Sequence, residues 1–152
     1  MERRTETRRG GFTLLEIMAV VLIIGLLTTL VGVAIVPQID KSRVSTARVQ
    51  VKMLDAAIET YRMDAAVFPT TEQGLEALIR EPADARNYQP GGYLRQRRVP
   101  LDPWGNEYQY ESPGQHNDYS YDLWSFGADG TSGGEGNDAD IGNWAPDEVA
   151  EG

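Results

Sequence analysis

A chain of 152 residues that spends its first 36 on a basic leader and an apolar run has room for one small domain with a real core, and not comfortably for two. It has no cysteine and a formal net charge of −9. The first excludes disulfide staples, and the second argues against nucleic acid, which needs a cationic face.

Residues 1 to 11 carry Arg3, Arg4, Arg8 and Arg9 against Glu2 and Glu6, a leader expected to stay on the cytoplasmic side. From Ile17 to Val36 there are twenty residues without an ionisable side chain. As a helix they extend about 30 Å, the thickness of a bilayer's hydrocarbon core. The chain is therefore expected to cross a membrane once, with its C-terminal bulk outside the cytoplasm. A secretory signal would place a small-residue cleavage site after a shorter apolar region. Here the small pair Gly10-Gly11 precedes the run instead. Cutting there removes four Arg and two Glu, takes the charge from −9 to −11, and leaves the helix in place. Glu16 is the anomaly, because a carboxylate close to lipid wants a partner. The α-amino group of a chain beginning at Phe12 would supply one, in the same or a neighbouring subunit. The alternative is a glutamate resting in the headgroup region.

The run Gly11-Phe12-Thr13-Leu14-Leu15-Glu16 is similar to the prepilin cleavage site of type IV pilins and type II secretion pseudopilins. That resemblance implies cleavage between Gly11 and Phe12 by a prepilin peptidase, N-methylation of Phe12, and a role for Glu16 in meeting the N-terminus of a neighbouring subunit during assembly.

Beyond Pro37, Val44, Ala47, Val51, Leu54, Ile58, Tyr61 and Ala65 recur at alternating steps of three and four, one apolar stripe on a helix. The reading is a single helix from Phe12 to about Asp64, kinked near Pro37, with its first half in lipid and its second half against a globular domain. After Phe68-Pro69, Thr70 and Gln73 fit a capping box, so a short helix is expected to run to about Arg80. The segment 83–98 reads as loop. Its cluster Arg95, Arg97 and Arg98 is more simply a solvated loop than a docking surface for the acidic half of another copy. Asp102-Pro103-Trp104-Gly105-Asn106 is turn chemistry, and Glu107–Glu111 and Tyr119–Ser125 alternate like strands. The fold expected is α+β, with a small antiparallel sheet packed on the stripe. Trp104 and Trp124 are read as core. His116 falls in a polar turn, where a lone histidine without cysteine gives little support to zinc or a triad.

No Lys or Arg follows Arg98, while twelve acidic residues lie between Asp102 and Glu151. That half would suit a bound cation or basic partners. Residues 127–140 combine acids with glycines, and calcium takes six to eight oxygens from carboxylates, carbonyls and water. The spacing is not that of an EF-hand, so composition leaves a flexible acidic loop at least as tenable as a site. Thr70-Thr71-Glu72-Gln73-Gly74-Leu75-Glu76-Ala77-Leu78, Asp102-Pro103-Trp104-Gly105-Asn106, Ser125-Phe126-Gly127-Ala128-Asp129-Gly130, Gly133-Gly134-Glu135-Gly136 and Ala139-Asp140-Ile141 together resemble the major pseudopilin of type II secretion systems. The likeness extends from about Gly10 to Trp144. It implies a calcium ion held by the carboxylates of Asp129, Asp138 and Asp140 with carbonyls near Phe126 and Thr131, Asn137 being the alternative to Asp138. The apolar run before Pro37 is about one helical turn longer than is usual in that family.

The divisions expected are a leader over 1–11, an assembly helix over 12–37, a periplasmic domain over 38–144 and a disordered tail over 145–152. The function expected is a non-enzymatic subunit, anchored in the bacterial inner membrane, that polymerises into a periplasmic pseudopilus and drives folded cargo outward. Its partners would be other copies of itself, the prepilin peptidase, minor pseudopilins and the inner-membrane assembly platform. The rival readings are a type IV pilin of a surface fibre and a membrane-anchored periplasmic enzyme or calcium module that never polymerises.

Overall fold

The structure is a computed structural model that describes residues 11–144, and of 30–37 only the backbone. The chain divides into two compact units with the boundary between Ile39 and Asp40. The expected leader and tail lie outside the described residues.

Helix α1 runs Leu14–Ala65. Thr13 caps its start, with its Oγ1 accepting the amide of Glu16 at 3.2 Å, so one of the amides that a helix N-terminus leaves unpaired is satisfied. Pro37 lies inside the helix, and the kink expected there falls among residues whose side chains are not described. At the C-terminal end Ala66 takes the left-handed conformation, φ 63°, and its amide donates to the Arg62 carbonyl at 2.8 Å. A left-handed residue at this place closes a helix by capturing a free carbonyl.

In the second unit the periodic stripe is the core. Ala47, Val51, Leu54, Ile58, Tyr61 and Ala65 are all buried, Val44 is half-buried against them, and Ala57 widens the face. Leu75, Ala77, Leu78, Leu94, Tyr108, Tyr121, Leu123 and Ile141 cover it.

The capping box forms as the sequence suggests. The Thr70 amide donates to Gln73 Oε1 at 2.9 Å and the Gln73 amide to Thr70 Oγ1 at 3.2 Å. The next element is a 3₁₀ helix over Gly74–Leu78 rather than an α-helix to Arg80. Gly74 at φ 54° interrupts the right-handed path between the capped turn and the helix. Thr71 then fastens this segment to the sheet, its Oγ1 accepting the Ser112 amide at 2.9 Å and donating to the Ser112 carbonyl at 3.0 Å.

The sheet is antiparallel in the order β1 (Gln109–Glu111), β2 (Asp122–Ser125), β3 (Ile141–Gly142). Tyr110 faces Leu123, and Trp124 faces Gly142. Both expected strands are shorter than their alternation suggests. Glu107 pairs with Leu101 in an isolated bridge, and Tyr119 stands 97% exposed in a turn. Nothing in the sequence predicts strand β3, since two residues cannot show an alternation. Trp104 packs half-buried against the core, but Trp124 does not join it. It lies edge-on to Phe126 at 5.9 Å and to Trp144 at 5.7 Å, on the sheet face away from the helix stripe.

Because Ile58 is fully buried and Met63 is 76% exposed on the same helix, their truncations should separate. Ile58→Ala is expected to cost about 2–5 kcal/mol, and Met63→Ala to stay within about 0.5 kcal/mol, both measured by urea unfolding.

Candidate functional site

Two stretches carry the expected chemistry. At the N-terminus, Gly11, Phe12 and Thr13 precede the helix and Glu16 sits in its first turn, where the helix dipole favours a negative charge. Phe12, Leu14, Leu15 and the large apolar residues as far as Leu27 are exposed. Among the described residues no helix is long and apolar enough to cross a membrane. The run expected to do so, 17–36, has its side chains described only as far as Thr29.

The second stretch is the connection from β2 to β3. Asp129 is exposed and folded back on its own turn, its Oδ1 accepting the Thr131 amide at 3.1 Å and its Oδ2 the Thr131 hydroxyl at 2.9 Å. Asp140 Oδ2 accepts the Gly133 amide at 3.0 Å and the Ser132 hydroxyl at 3.4 Å. Asp129 and Asp140 therefore grip adjoining residues of one segment, 131–133, from its two sides. Asp138 is exposed, its amide bonded to the Glu135 carbonyl at 3.2 Å, and the Asn137 carbonyl accepts the Ala128 amide at 2.8 Å. Phe126 is half-buried against Trp124.

Among the described residues no three carboxylates or histidines are grouped closely enough to hold a metal ion. The carboxylates expected to bind calcium are thus distributed around the loop, not gathered in a finished cage. Two observations nonetheless fit a cation. Asp140 Oδ1 is buried without any hydrogen-bond partner, an expensive state for a carboxylate oxygen. The loop backbone is also drawn in so closely that a Cβ on Gly134 would collide with the Asp138 carbonyl, and one on Gly127 would stand 2.7 Å from the Asn137 carbonyl. Glycine at these positive φ values lets carbonyls turn inward.

A third feature escapes a reading of the sequence alone. Asp122 is buried, its side chain 2% exposed, and it gathers the 115–117 turn around itself. Its Oδ2 accepts the amides of Gln115 and His116, both at 2.8 Å, and its Oδ1 accepts the Asn117 amide at 3.0 Å. The His116 Nδ1 lies 3.1 Å from Oδ2, and the ring stacks on Trp144 at 4.0 Å. Asn143 completes the join, accepting the Leu123 amide at 3.1 Å and donating to the Tyr121 carbonyl at 3.1 Å. Around this lies a cavity of about 230 Å³ lined by Glu111, His116, Asp122, Phe126, Asp140 and Trp144 among others. The polar turn at His116 is visible in the sequence. Its binding to a carboxylate six residues on is not, because an acid inside a strand has no local signature.

Residues 34–144 match the family described as type II secretion system (T2SS), protein G, and residues 7–32 match the prokaryotic N-terminal methylation motif. The chain belongs to the type II secretion system protein G family. It is 45% identical over 147 residues to the type II secretion system core protein G of Pseudomonas aeruginosa, covering 95% of this chain and 99% of that one. To the core protein G of Vibrio cholerae it is 46% identical over 139 residues, covering 90% and 92%. Among solved structures it is similar to the major pseudopilin from the type 2 secretion system of enterohaemorrhagic Escherichia coli, with a TM-score of 0.60 and 41% identity over 70% of this chain and 90% of that one. The α+β fold, a long helix with a small antiparallel sheet, is thus that of a pseudopilin, and the surface-pilin alternative is not favoured.

Burial pushes the Asp122 carboxyl up, but the bonds from the His116 amide and ring and from the Asn117 and Gln115 amides outweigh it, leaving the group below its ordinary value of 3.8. Its stabilisation is therefore complete above that ordinary value and is lost as pH falls from there through the lowered folded value. Asp122→Asn should lower stability at neutral pH and flatten the acid limb below about pH 4, read by urea unfolding across a pH series.

Proposed function

We propose that the chain is a structural subunit, held in the bacterial inner membrane and cleaved between Gly11 and Phe12, that polymerises into the periplasmic pseudopilus of a type II secretion system. Growth of that fibre would drive folded proteins across the outer membrane. One observation carries the reading. Large apolar side chains are exposed along the first turns of α1 from Leu14 to Leu27, whereas among the described residues the buried core begins at Ala47. An apolar surface of that extent marks a contact with lipid or with other protein. A fibre whose centre is made of such helices uses it in both states, first in lipid and then against other copies.

In this reading the prepilin peptidase methylates Phe12, Glu16 meets the N-terminus of a neighbouring copy, and minor pseudopilins and an inner-membrane platform are the further partners. Calcium would be held by the carboxylates of Asp129, Asp138 and Asp140 with the carbonyls of Phe126 and Thr131. When bound, the ion would supply charge neutralisation and tie the two arms of the loop together. The buried unpaired oxygen of Asp140 and the glycine cradle support this. Asp129 would have to exchange its Thr131 bonds for the cation.

Glu16→Ala in cells carrying the other secretion components should abolish sheared or cross-linked fibres while the processed subunit still accumulates. Intact fibres would overturn the assembly role. For calcium, the compact unit 40–152 is expected to melt several degrees higher with calcium than with excess EGTA. Saturation a hundredfold above the dissociation constant adds about 2.7 kcal/mol, and Asp129→Ala should remove most of the difference.

A further inference from the structure

The start of the acidic loop is held by a turn some twenty residues upstream. Asp102 is 5% exposed, and all its bonding serves this region. Its Oδ1 accepts the amides of Trp104 at 3.0 Å and Asn106 at 2.8 Å. Its Oδ2 accepts the hydroxyl of the fully buried Ser125 at 2.6 Å. A hydroxyl has one proton and this one is committed to Asp102, so the Ser125 oxygen is left as an acceptor, and the Gly127 amide donates to it at 3.1 Å. From the same turn, Asn106 Nδ2 donates to the Gly127 carbonyl at 3.2 Å. Both polar groups of the Gly127 backbone are therefore fixed by the 102–106 turn, one directly and one through Ser125.

Gly127 is where the two arms of the loop touch. It stands at φ 75°, and a Cβ there would meet the carbonyls of Asn137 at 2.7 Å and Ala139 at 2.9 Å. The next amide, of Ala128, donates to the Asn137 carbonyl at 2.8 Å. One arm carries Phe126 and Asp129, the other Asp138 and Asp140. The position of Gly127 sets the gap between them.

We propose that Asp102, Asn106 and Ser125 are positioning residues for the cation loop: they lock Gly127, and with it the spacing of the two arms, before any ion arrives. The inference rests on the calcium reading above. It divides the loop into a preset part at 126–128 and an adaptable part at 129–136, the second being the one that the ion itself must order. Groups that orient ligands without touching a metal commonly change its affinity by about ten- to a hundredfold when removed. A purely structural role would change folding stability alone.

The test uses the full chain in detergent micelles, with calcium binding measured by titration calorimetry and melting measured in EGTA. Asn106→Ala and Ser125→Ala should weaken calcium binding by about tenfold. Thr71→Ala, which removes bonds of similar strength at Ser112 on the other side of the sheet, serves as control and should leave the dissociation constant within about twofold even where it lowers the melting temperature. Asp102→Asn is not needed for the conclusion, since loss of a buried acid can unfold the head. If Asn106→Ala and Ser125→Ala lower the melting temperature yet bind calcium like the unaltered chain, the network is structural only and the proposal is overturned. If the unaltered chain binds no calcium, the reading beneath it is overturned instead, and the proposal with it. Amide exchange gives a second arm. Gly127 should be protected in EGTA while Gly134 and Gly136 are not, and a fast-exchanging Gly127 in the ion-free protein would equally overturn the preset anchor.

Discussion

The head of this molecule depends on one face of one helix. Strands of two to four residues do not hold together in water by themselves, and here the sheet gains its stability by covering the stripe from Val44 to Ala65. Tyrosines make the join. Tyr108 donates to Gln50 Oε1 at 2.6 Å, Tyr121 to Asp55 Oδ1 at 2.7 Å, and Tyr110 to the Pro69 carbonyl at 2.8 Å. Each ring buries apolar area while its hydroxyl finds a partner. Burial is the main cause that pushes all three phenols up, Tyr110 to about 12, so they remain neutral donors at any physiological pH.

That face is legible in the sequence because its signal is periodic, and all seven residues of the stripe are buried or half-buried. The capping box is legible for the same kind of reason, since Thr70 and Gln73 are three residues apart and each satisfies the other's amide. Legibility fails where the determinant is distant or a single residue. The helix after the box is 3₁₀ and starts at Gly74, whose φ of 54° is a single-residue feature that no periodicity announces. Strand β3 exists because Asn143 and Ile141 reach back to β2, and nothing within those residues announces it. Trp124 falls outside the expected core because size argues for burial in general but not for which face of a strand is buried. At the candidate site the acids are readable by composition, but their separation around the loop, and the dependence of Gly127 on Asp102, are not.

Two buried acids do what cysteine does in other small extracytoplasmic domains. Asp102 binds the 104–106 turn to β2 through Ser125, and Asp122 binds the 115–117 turn to the middle of the sheet. Each is satisfied chiefly by backbone amides, which makes burial of a carboxylate tolerable. Neither bond is redox-sensitive, so the head keeps these ties in reducing and oxidising surroundings alike. The tie at Asp122 has a different weakness: it is electrostatic, and protonation of that carboxylate loosens it where it would leave a covalent bond intact.

The order of elements along the chain has a further consequence for synthesis. The helix face is made first, but Tyr121 and Leu123, which cover it, come some sixty residues later, and Ile141 and Asn143 complete the sheet near the end of the described chain. A chain that emerges N-terminus first thus presents the apolar stripe before the strands that complete its cover have been made. Vectorial emergence therefore delays closure of the head until Ile141 and Asn143 have followed Tyr121 and Leu123, an order of events that keeps the emerging chain pliable until then.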